Sequence, residues 1–299
     1  MVSDVVEYFD IAGLTIKMIY KNKGEDINYM SSFFAFKSEE PDEEPCMTVT
    51  VSDDAEEDKY EKLIGDYKTI NTRIRVEEVS DGYRLDIMSV YGNKCCELHA
   101  DSDFSHCHCR LFGNWKERKT GLNDALMLIY SYVASTHEIL LIHSSVVVYK
   151  GKAYCFTAPS GTGKSTQTML WMKNIPGCKI LNDDNPIIQI RDDKVMVWGS
   201  PWSGKTQYYI NKCYPLGAVI RIERAKKNDI VSISGSEAFA KFLPACSIMT
   251  WNHTMHEDVF DTVIKIIGMS DMYDLKCLPN RNSAILCMNT VTKQKAYAY

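Results

Sequence analysis

The sequence predicts an α/β fold, in which a core running from about residue 139 onward carries a smaller β-rich N-terminal domain. Three observations predict it. The first hundred or so residues form short runs of alternating apolar and polar positions, rich in β-branched and aromatic side chains. A stretch near residue 121 switches to helical spacing. After it, "FTAPSGTGKSTQT", Phe156 to Thr168, joins a strand-like run to a helix-like one through a glycine-rich loop. The expected division is 1–118 for the β-rich domain, 119–138 for a linking helix and 139–299 for the core.

In the first domain, "GLTIKMIY", "CMTVTV", "TRIRVEEV" and "YRLDIMSVY" read as strands, and Asp81-Gly82 marks a hairpin between the last two. Gly113 to Arg118 is a polar break. Leu122, Ala125, Leu126, Ile129, Tyr130, Val133 and Ala134 then share one face of a helix over about 121–136. Val146 to Tyr149 and Ala153 to Thr157 form a hairpin across Lys150-Gly151-Lys152 that feeds the glycine-rich loop. A helix over Lys164 to Lys173 ends at Pro176-Gly177, and a short strand over Lys179 to Leu181 delivers Asn182, Asp183 and Asp184. "KVMVWGSP" is a further strand, and "LGAVIRIE" with "DIVSISG" reads as another pair. Ser236 to Leu243, Glu257 to Ile267 and Arg281 to Thr290 are weaker helical patterns.

Composition limits the function. With 299 residues and 45% hydrophobic content the chain can bury a sizeable core. Its eleven cysteines are too dilute for a disulfide scaffold. No run reaches the roughly 18 to 20 apolar residues that span a bilayer, and the start lacks an export signal. The expectation is a cytoplasmic chain with reduced thiols and no membrane partner. The net charge of -5 originates in Glu39 to Glu61, which holds eleven acids and one lysine; the remainder, with 28 acids and 33 bases, carries +5. Basic patches interleaved with aromatics, the footprint of nucleic-acid binding, are absent from the sequence.

The loop carries the chemistry. In G-x-x-x-x-G-K-[ST] the small residues let consecutive backbone N–H groups point at phosphate oxygens, at the positive end of the following helix. Ser160, Gly161, Thr162, Gly163, Lys164, Ser165 and Thr166 fit this nucleotide-binding role, with Ala158 in the first glycine position. Lys164 would bridge the outer phosphates, and the Ser165 hydroxyl would ligate Mg2+. The metal needs a carboxylate, and Asp183 and Asp184 stand at a strand end where a parallel neighbour would set them beside the loop. One would hold Mg2+; the other is free to accept a proton from an incoming hydroxyl, which separates a kinase from a hydrolase. His143 opens the strand pair that ends at the loop. "GSPWSGK", Gly199 to Lys205, is a second small-residue loop that could close over the phosphates, with Lys205 as a second cation.

Two other clusters carry less. In "CCELHADSDFSHCHC" strand alternation sends His106 and His108 to one face and Cys107 and Cys109 to the other, which divides any zinc ligand set. His253 and His256 lie one helical turn apart without a third ligand. A GTPase reading lacks the N-K-x-D base-recognition motif.

Together, His143-Ser144-Ser145, the hairpin, "APSGTGKST", "LNDDNPII" and "GSPWSGK" resemble the HPr kinase/phosphorylase superfamily, which shares its nucleotide-binding core with ATP-dependent phosphoenolpyruvate carboxykinase. The similarity covers about 139–225 and is greatest to the HPr-kinase-like serine kinases associated with ribosomally synthesised peptides. It implies a phosphoenolpyruvate carboxykinase-like core and an ATP- and Mg2+-dependent kinase acting on a serine or threonine hydroxyl of a peptide or small protein. The N-terminal domain would then serve substrate or leader recognition. The resemblance assigns His143 to the acid pair, Lys164 and Ser165 to nucleotide and metal, and one aspartate to proton abstraction. Asp183 is the favoured base and Asp184 the favoured metal ligand. The arginine- and glycine-rich segment and the later metal glutamate of HPr kinases proper have no match here, so neither HPr as substrate nor a hexamer is implied. A non-catalytic ATP-responsive peptide-binding module and a kinase for free serine remain as alternatives; the paired carboxylates speak against the first.

Overall fold

The computed structural model describes residues 4–21, 26–54, 59–69, 72–204 and 207–293. The fold is mixed α/β, built on two large sheets in two compact units: 1–137 with 249–253, and 138–248 with 254–299.

The first unit holds strands β1 (Val5–Ile11), β2 (Leu14–Tyr20), β3 (Lys37–Ser38), β4 (Met47–Val51), β5 (Tyr60–Lys68), β6 (Thr72–Val79), β7 (Gly82–Ser89), β8 (Lys94–Asp101) and β9 (His106–Leu111). They form one sheet in the order β3-β1-β2-β4-β9-β8-β7-β6-β5. The β6/β7 hairpin expected at Asp81-Gly82 is present. Along β9, Cys107, Cys109 and Leu111 are buried while the positions between are not, as alternation requires.

Helix α1 (Trp115–Ser135) lies against β7, β8 and β9, and every residue of its expected apolar face is buried. It begins six residues before the periodicity suggests. The Asn114 side chain accepts from the amides of Lys116 and Glu117 at 3.0 and 3.2 Å, and Glu117 accepts from the Asn114 amide at 2.9 Å. The polar segment read as a break is thus a capping box. Gly121 lets the helix approach β8, since a Cβ there would meet the Cys95 backbone at 2.6 Å.

The second unit comprises β10 (Ile139–Leu141), β11 (Ser144–Tyr149), β12 (Lys152–Thr157), α2 (Lys164–Asn174), β13 (Lys179–Asp184), β14 (Ile187–Arg191), β15 (Lys194–Trp198), β16 (Cys213–Arg224), β17 (Asp229–Ile233), α3 (Gly235–Phe242), α4 (His253–Met269), β18 (Met272–Cys277) and α5 (Arg281–Val291). Its nine-stranded sheet runs β10-β14-β15-β16-β12-β11-β13, with β18 on β16 and β17 on β18. The β11/β12 hairpin turns at Lys150 and Gly151, both at positive φ. Helices α2 and α5 cover a core of Tyr154, Phe156, Ile220, Ile222, Leu275 and Cys287, with Trp171 of α2 fully buried and 5.3 to 5.6 Å from the Tyr154 and Phe156 rings.

Two pairings differ from expectation. The segments "LGAVIRIE" and "DIVSISG" do not pair with each other; β18 returns after α4 and lies between them, parallel to β16 and antiparallel to β17. The strand carrying the acid pair has an antiparallel neighbour, β11. Because β11 is also antiparallel to β12, the flanking strands β12 and β13 run the same way and end at the same edge.

All eleven cysteines are free thiols, Cys46 and Cys213 half-buried and the rest buried. Among the described residues no helix is long and apolar enough to cross a membrane.

Candidate functional site

The site is assembled where β12 and β13 end and β11 begins. Ser144 pairs with Asp184 and Ser145 with Asp183 across the β11/β13 ladder, and Ser144 pairs with Thr157 at the start of the loop. His143 is the residue before Ser144, so strand register alone brings His143, the acid pair and the loop together. The backbone of His143 is fixed independently, its N–H donating to the Ala245 carbonyl at 2.6 Å.

The loop after Thr157 turns through Gly161 and Gly163, at φ 76° and 131°, a region that favours glycine. Gly163 stands immediately before α2, whose first amides have no side-chain cap. Lys164 and Ser165 are the first two residues of α2. Lys164 Nζ lies 2.6 Å from His143 Nε2 and 3.1 Å from the Ala158 carbonyl, and His143 Nδ1 lies 3.1 Å from Asp184 Oδ1. An ammonium can only donate, so Nε2 accepts and the imidazole proton rests on Nδ1, facing the carboxylate. Burial lowers the Lys164 pKa below its ordinary 10.5, opposed by the charges of Asp184 and Asp183.

Asp183 points to a different partner. Ser165 Oγ donates to Asp183 Oδ1 at 2.9 Å. Adjacent residues on a strand face opposite ways, and here that alternation gives one aspartate to the helix and the other to the histidine. The strand continues through both, past the Leu181 end expected for it.

The second loop is fastened to this strand end. Asn182 is fully buried, and its amide nitrogen contacts the Ser200 hydroxyl at 3.2 Å and the Trp202 carbonyl at 3.3 Å. The Gly204 N–H donates to the Asp183 carbonyl at 2.7 Å, Ser203 bridges to Asp184, and Trp202 is buried. A side chain at Gly204 would meet the Asp183 carbonyl at 3.0 Å, and one at Gly199 the Ile210 carbonyl at 1.9 Å. Glycine is therefore required at Gly199 by close backbone approach, while at Gly204 the fit is tight. Lys205, the expected second cation, lies outside the described residues.

Sequence reasoning missed the cations on β16. Arg224, at its end, donates to the Gly161 carbonyl at 2.5 Å and the Thr162 carbonyl at 3.0 Å, bracing the loop from the far side. Arg221 pairs with Asp274, which is buried and also holds Lys241 at 2.9 Å. The only trace of this in the sequence is "RIER" at a strand end, and nothing local ties it to the loop.

Among the described residues no three histidine, cysteine or acidic side chains converge to cage a metal. Mg2+ in phosphoryl-transfer sites is held by one or two carboxylates together with phosphate oxygens and water, and the side chains that could take such a part here are Ser165 and Asp183.

The family model described as SynChlorMet cassette protein ScmC matches residues 106–266, a span that includes His143, the loop, the acid pair and Arg224. Among solved structures, the HPr(Ser) kinase/phosphatase from Coxiella burnetii aligns over 50% of this chain and 87% of its own, at 10% identity and a TM-score of 0.32. No curated protein is matched.

Proposed function

The chain belongs to the family of SynChlorMet cassette protein ScmC, and we propose that it is an ATP- and Mg2+-dependent kinase. The γ-phosphoryl group would go to a serine or threonine hydroxyl of a peptide or small protein. The observation that carries this reading is the separation of the two aspartates, Asp183 on Ser165 and Asp184 on His143. A nucleotide hydrolase or sensor has use for the first arrangement. The second supplies a carboxylate that the metal does not need.

In this reading the amides from Gly161 to Thr166 and the N-terminus of α2 receive the phosphates. Lys164 contributes its third proton, the other two being directed at His143 and Ala158. Ser165 and Asp183 fit Mg2+: two oxygens 2.9 Å apart match neighbouring positions of an octahedron whose metal–oxygen distance is about 2.0–2.1 Å. When bound, the ion offsets charge on the transferred phosphoryl group. Asp184 accepts the proton of the attacking hydroxyl, and His143, donating from Nδ1, holds that carboxylate in place. The resemblance leaves open which aspartate is the base; this reading exchanges the roles first favoured for Asp183 and Asp184. Leader or substrate recognition is assigned to the β-rich N-terminal part.

The test is intact-mass spectrometry of purified protein incubated with ATP, Mg2+ and peptides encoded near its gene. A phosphate-sized gain on a peptide, lost with Asp184→Asn, is expected. ATP bound but unconsumed across peptides and free serine would replace the kinase by a sensor.

A further inference from the structure

Resting on the reading that the substrate is a peptide, we infer that one end of the first unit is its docking surface, a basic and aromatic patch that takes an acidic segment of the peptide carrying an apolar side chain. The patch is made by Val90 and Tyr91 at the tip of the β7/β8 hairpin, Phe112 after β9, and Trp115, Lys116 and Lys119 at the start of α1. Two hydrogen bonds join these pieces. The Phe112 amide donates to the Cys95 carbonyl of β8 at 2.9 Å, and the Asn93 side chain donates to Glu117 of α1 at 2.9 Å, which ties the hairpin tip to the first turn of the helix.

The apolar members of the patch stay in water. Tyr91 is 90% exposed, Trp115 54% and Val90 40%. Trp115 is nevertheless held in place, its ring 5.7 Å from that of Tyr29 and 5.1 Å from Lys119 Nζ. Phe112 lies between Lys94 Nζ at 5.3 Å and the Arg110 guanidinium at 5.1 Å. Aromatic and cationic side chains fixed before binding are the groups that dominate affinity at protein interfaces.

The cations give the sign of the partner. Arg110, Lys116, Arg118 and Lys119 have no carboxylate partner among the described residues, and Arg118 is turned onto the Gly113 carbonyl at 3.0 Å. Lys116, Arg118 and Lys119 stand in the first turns of α1, where the helix dipole disfavours positive charge. Asn114 already accepts from the Lys116 and Glu117 amides, so this is a surface of side chains and not of backbone donors. Such a local conflict costs stability in the free protein and is relieved by a carboxylate.

The pattern also selects among anions. Lys94 is held between Asp86 and Glu97, 2.6 Å from each, and Glu117 lies among the α1 cations. Carboxylates set between the cations repel the continuous charge of a nucleic-acid backbone or an anionic bilayer, whereas a peptide with separated acids matches them. In the sequence, Arg110 to Lys119 looks like a polar break; folded, its cations and aromatics share a surface with the hairpin tip.

Fluorescence anisotropy of labelled, overlapping fragments of the peptides encoded near its gene, on the full-length protein without nucleotide, tests this. The expected result is binding of an acidic fragment, lost when its acids are replaced by amides and weakened about tenfold by Trp115→Ser and by the double variant Lys116→Glu/Lys119→Glu. Glutamate suits a helix start better than lysine, so the double variant should keep or raise the Tm, which separates lost binding from a folding fault. Binding of non-acidic fragments only, or affinity unchanged in both variants, overturns the inference. Tighter binding of phosphatidylserine vesicles or single-stranded DNA through the same residues overturns it as well. Phosphate transfer to the whole peptide with KM unchanged in both variants removes the docking surface and leaves the kinase reading standing. Fragment binding that the variants abolish, without any transfer, keeps the surface and removes the kinase.

Discussion

The Lys164 ammonium sits 2.6 Å from His143 Nε2, and the same imidazole meets Asp184 through Nδ1 at 3.1 Å. The cation that would hold the phosphates and the carboxylate that would take the proton are therefore joined through one ring. Neutralising the lysine or removing the ring disturbs both. Lys164→Ala should abolish nucleotide binding and turnover together, measured by titration and phosphate transfer.

His143→Ala should act differently. Nucleotide affinity should fall only modestly, while transfer drops by about 10- to 100-fold, because Asp184 loses its orienting donor. Rescue of part of that loss by His143→Asn, which can also donate to a carboxylate, separates positioning from a structural fault.

The two aspartates should be separable. Asp184→Asn is expected to keep Mg2+-dependent nucleotide binding and to lose transfer by about 10²–10⁴-fold. Asp183→Asn should raise the Mg2+ concentration needed for half-maximal activity, and excess metal should restore part of the rate. The opposite pattern in a metal titration would return the base to Asp183.

Arg224→Ala removes two donors from the carbonyls of Gly161 and Thr162 without touching the loop amides proposed to receive phosphate. The expected effect is a KM for ATP raised roughly three- to tenfold, with kcat changed little. Circular dichroism should show an unaltered fold, since this arginine is exposed.

The depressed pKa of Lys164 sets a pH dependence. Burial holds it below the ordinary 10.5, so the folded protein releases this proton at lower pH than the unfolded chain. Between those two values the unfolded state binds more protons, and stability rises with pH across that window. Nucleotide affinity, which in the proposed reading needs the ammonium, should fall over the same window. Lys164→Met should flatten this contribution to stability in denaturation curves recorded at alkaline pH.

Much of the site was readable because its parts are local motifs. The loop, the helix it opens and the adjacent acids follow from spacing and turn chemistry, as does the hairpin at Lys150-Gly151. The features that could not be read depend on contacts between distant residues. Arg224 meets Gly161 across two neighbouring strands, and no pattern near either residue announces it. Placement of β18 between β16 and β17 depends on the crossover through α4, which strand composition does not encode. The start of α1 was hidden for another reason: Asn114 and Glu117 make a cap only as a pair, and singly they look like polar loop residues. Which of Asp183 and Asp184 meets Ser165 and which meets His143 required knowing which face of β13 lies toward α2.

Trp171 also joins distant pieces, packing α2 onto Tyr154 and Phe156. Trp171→Ala should cost about 3–5 kcal/mol in chemical denaturation.

The antiparallel insertion of β11 between β12 and β13 has a kinetic consequence. His143, the loop, the acids and Gly204 all come from one continuous stretch of chain, wired by a hairpin and its immediate neighbour. Contacts of short sequence separation close with little entropy cost and form early. The candidate site should therefore be among the first tertiary structure to acquire amide protection during refolding, before β18 docks beside β16.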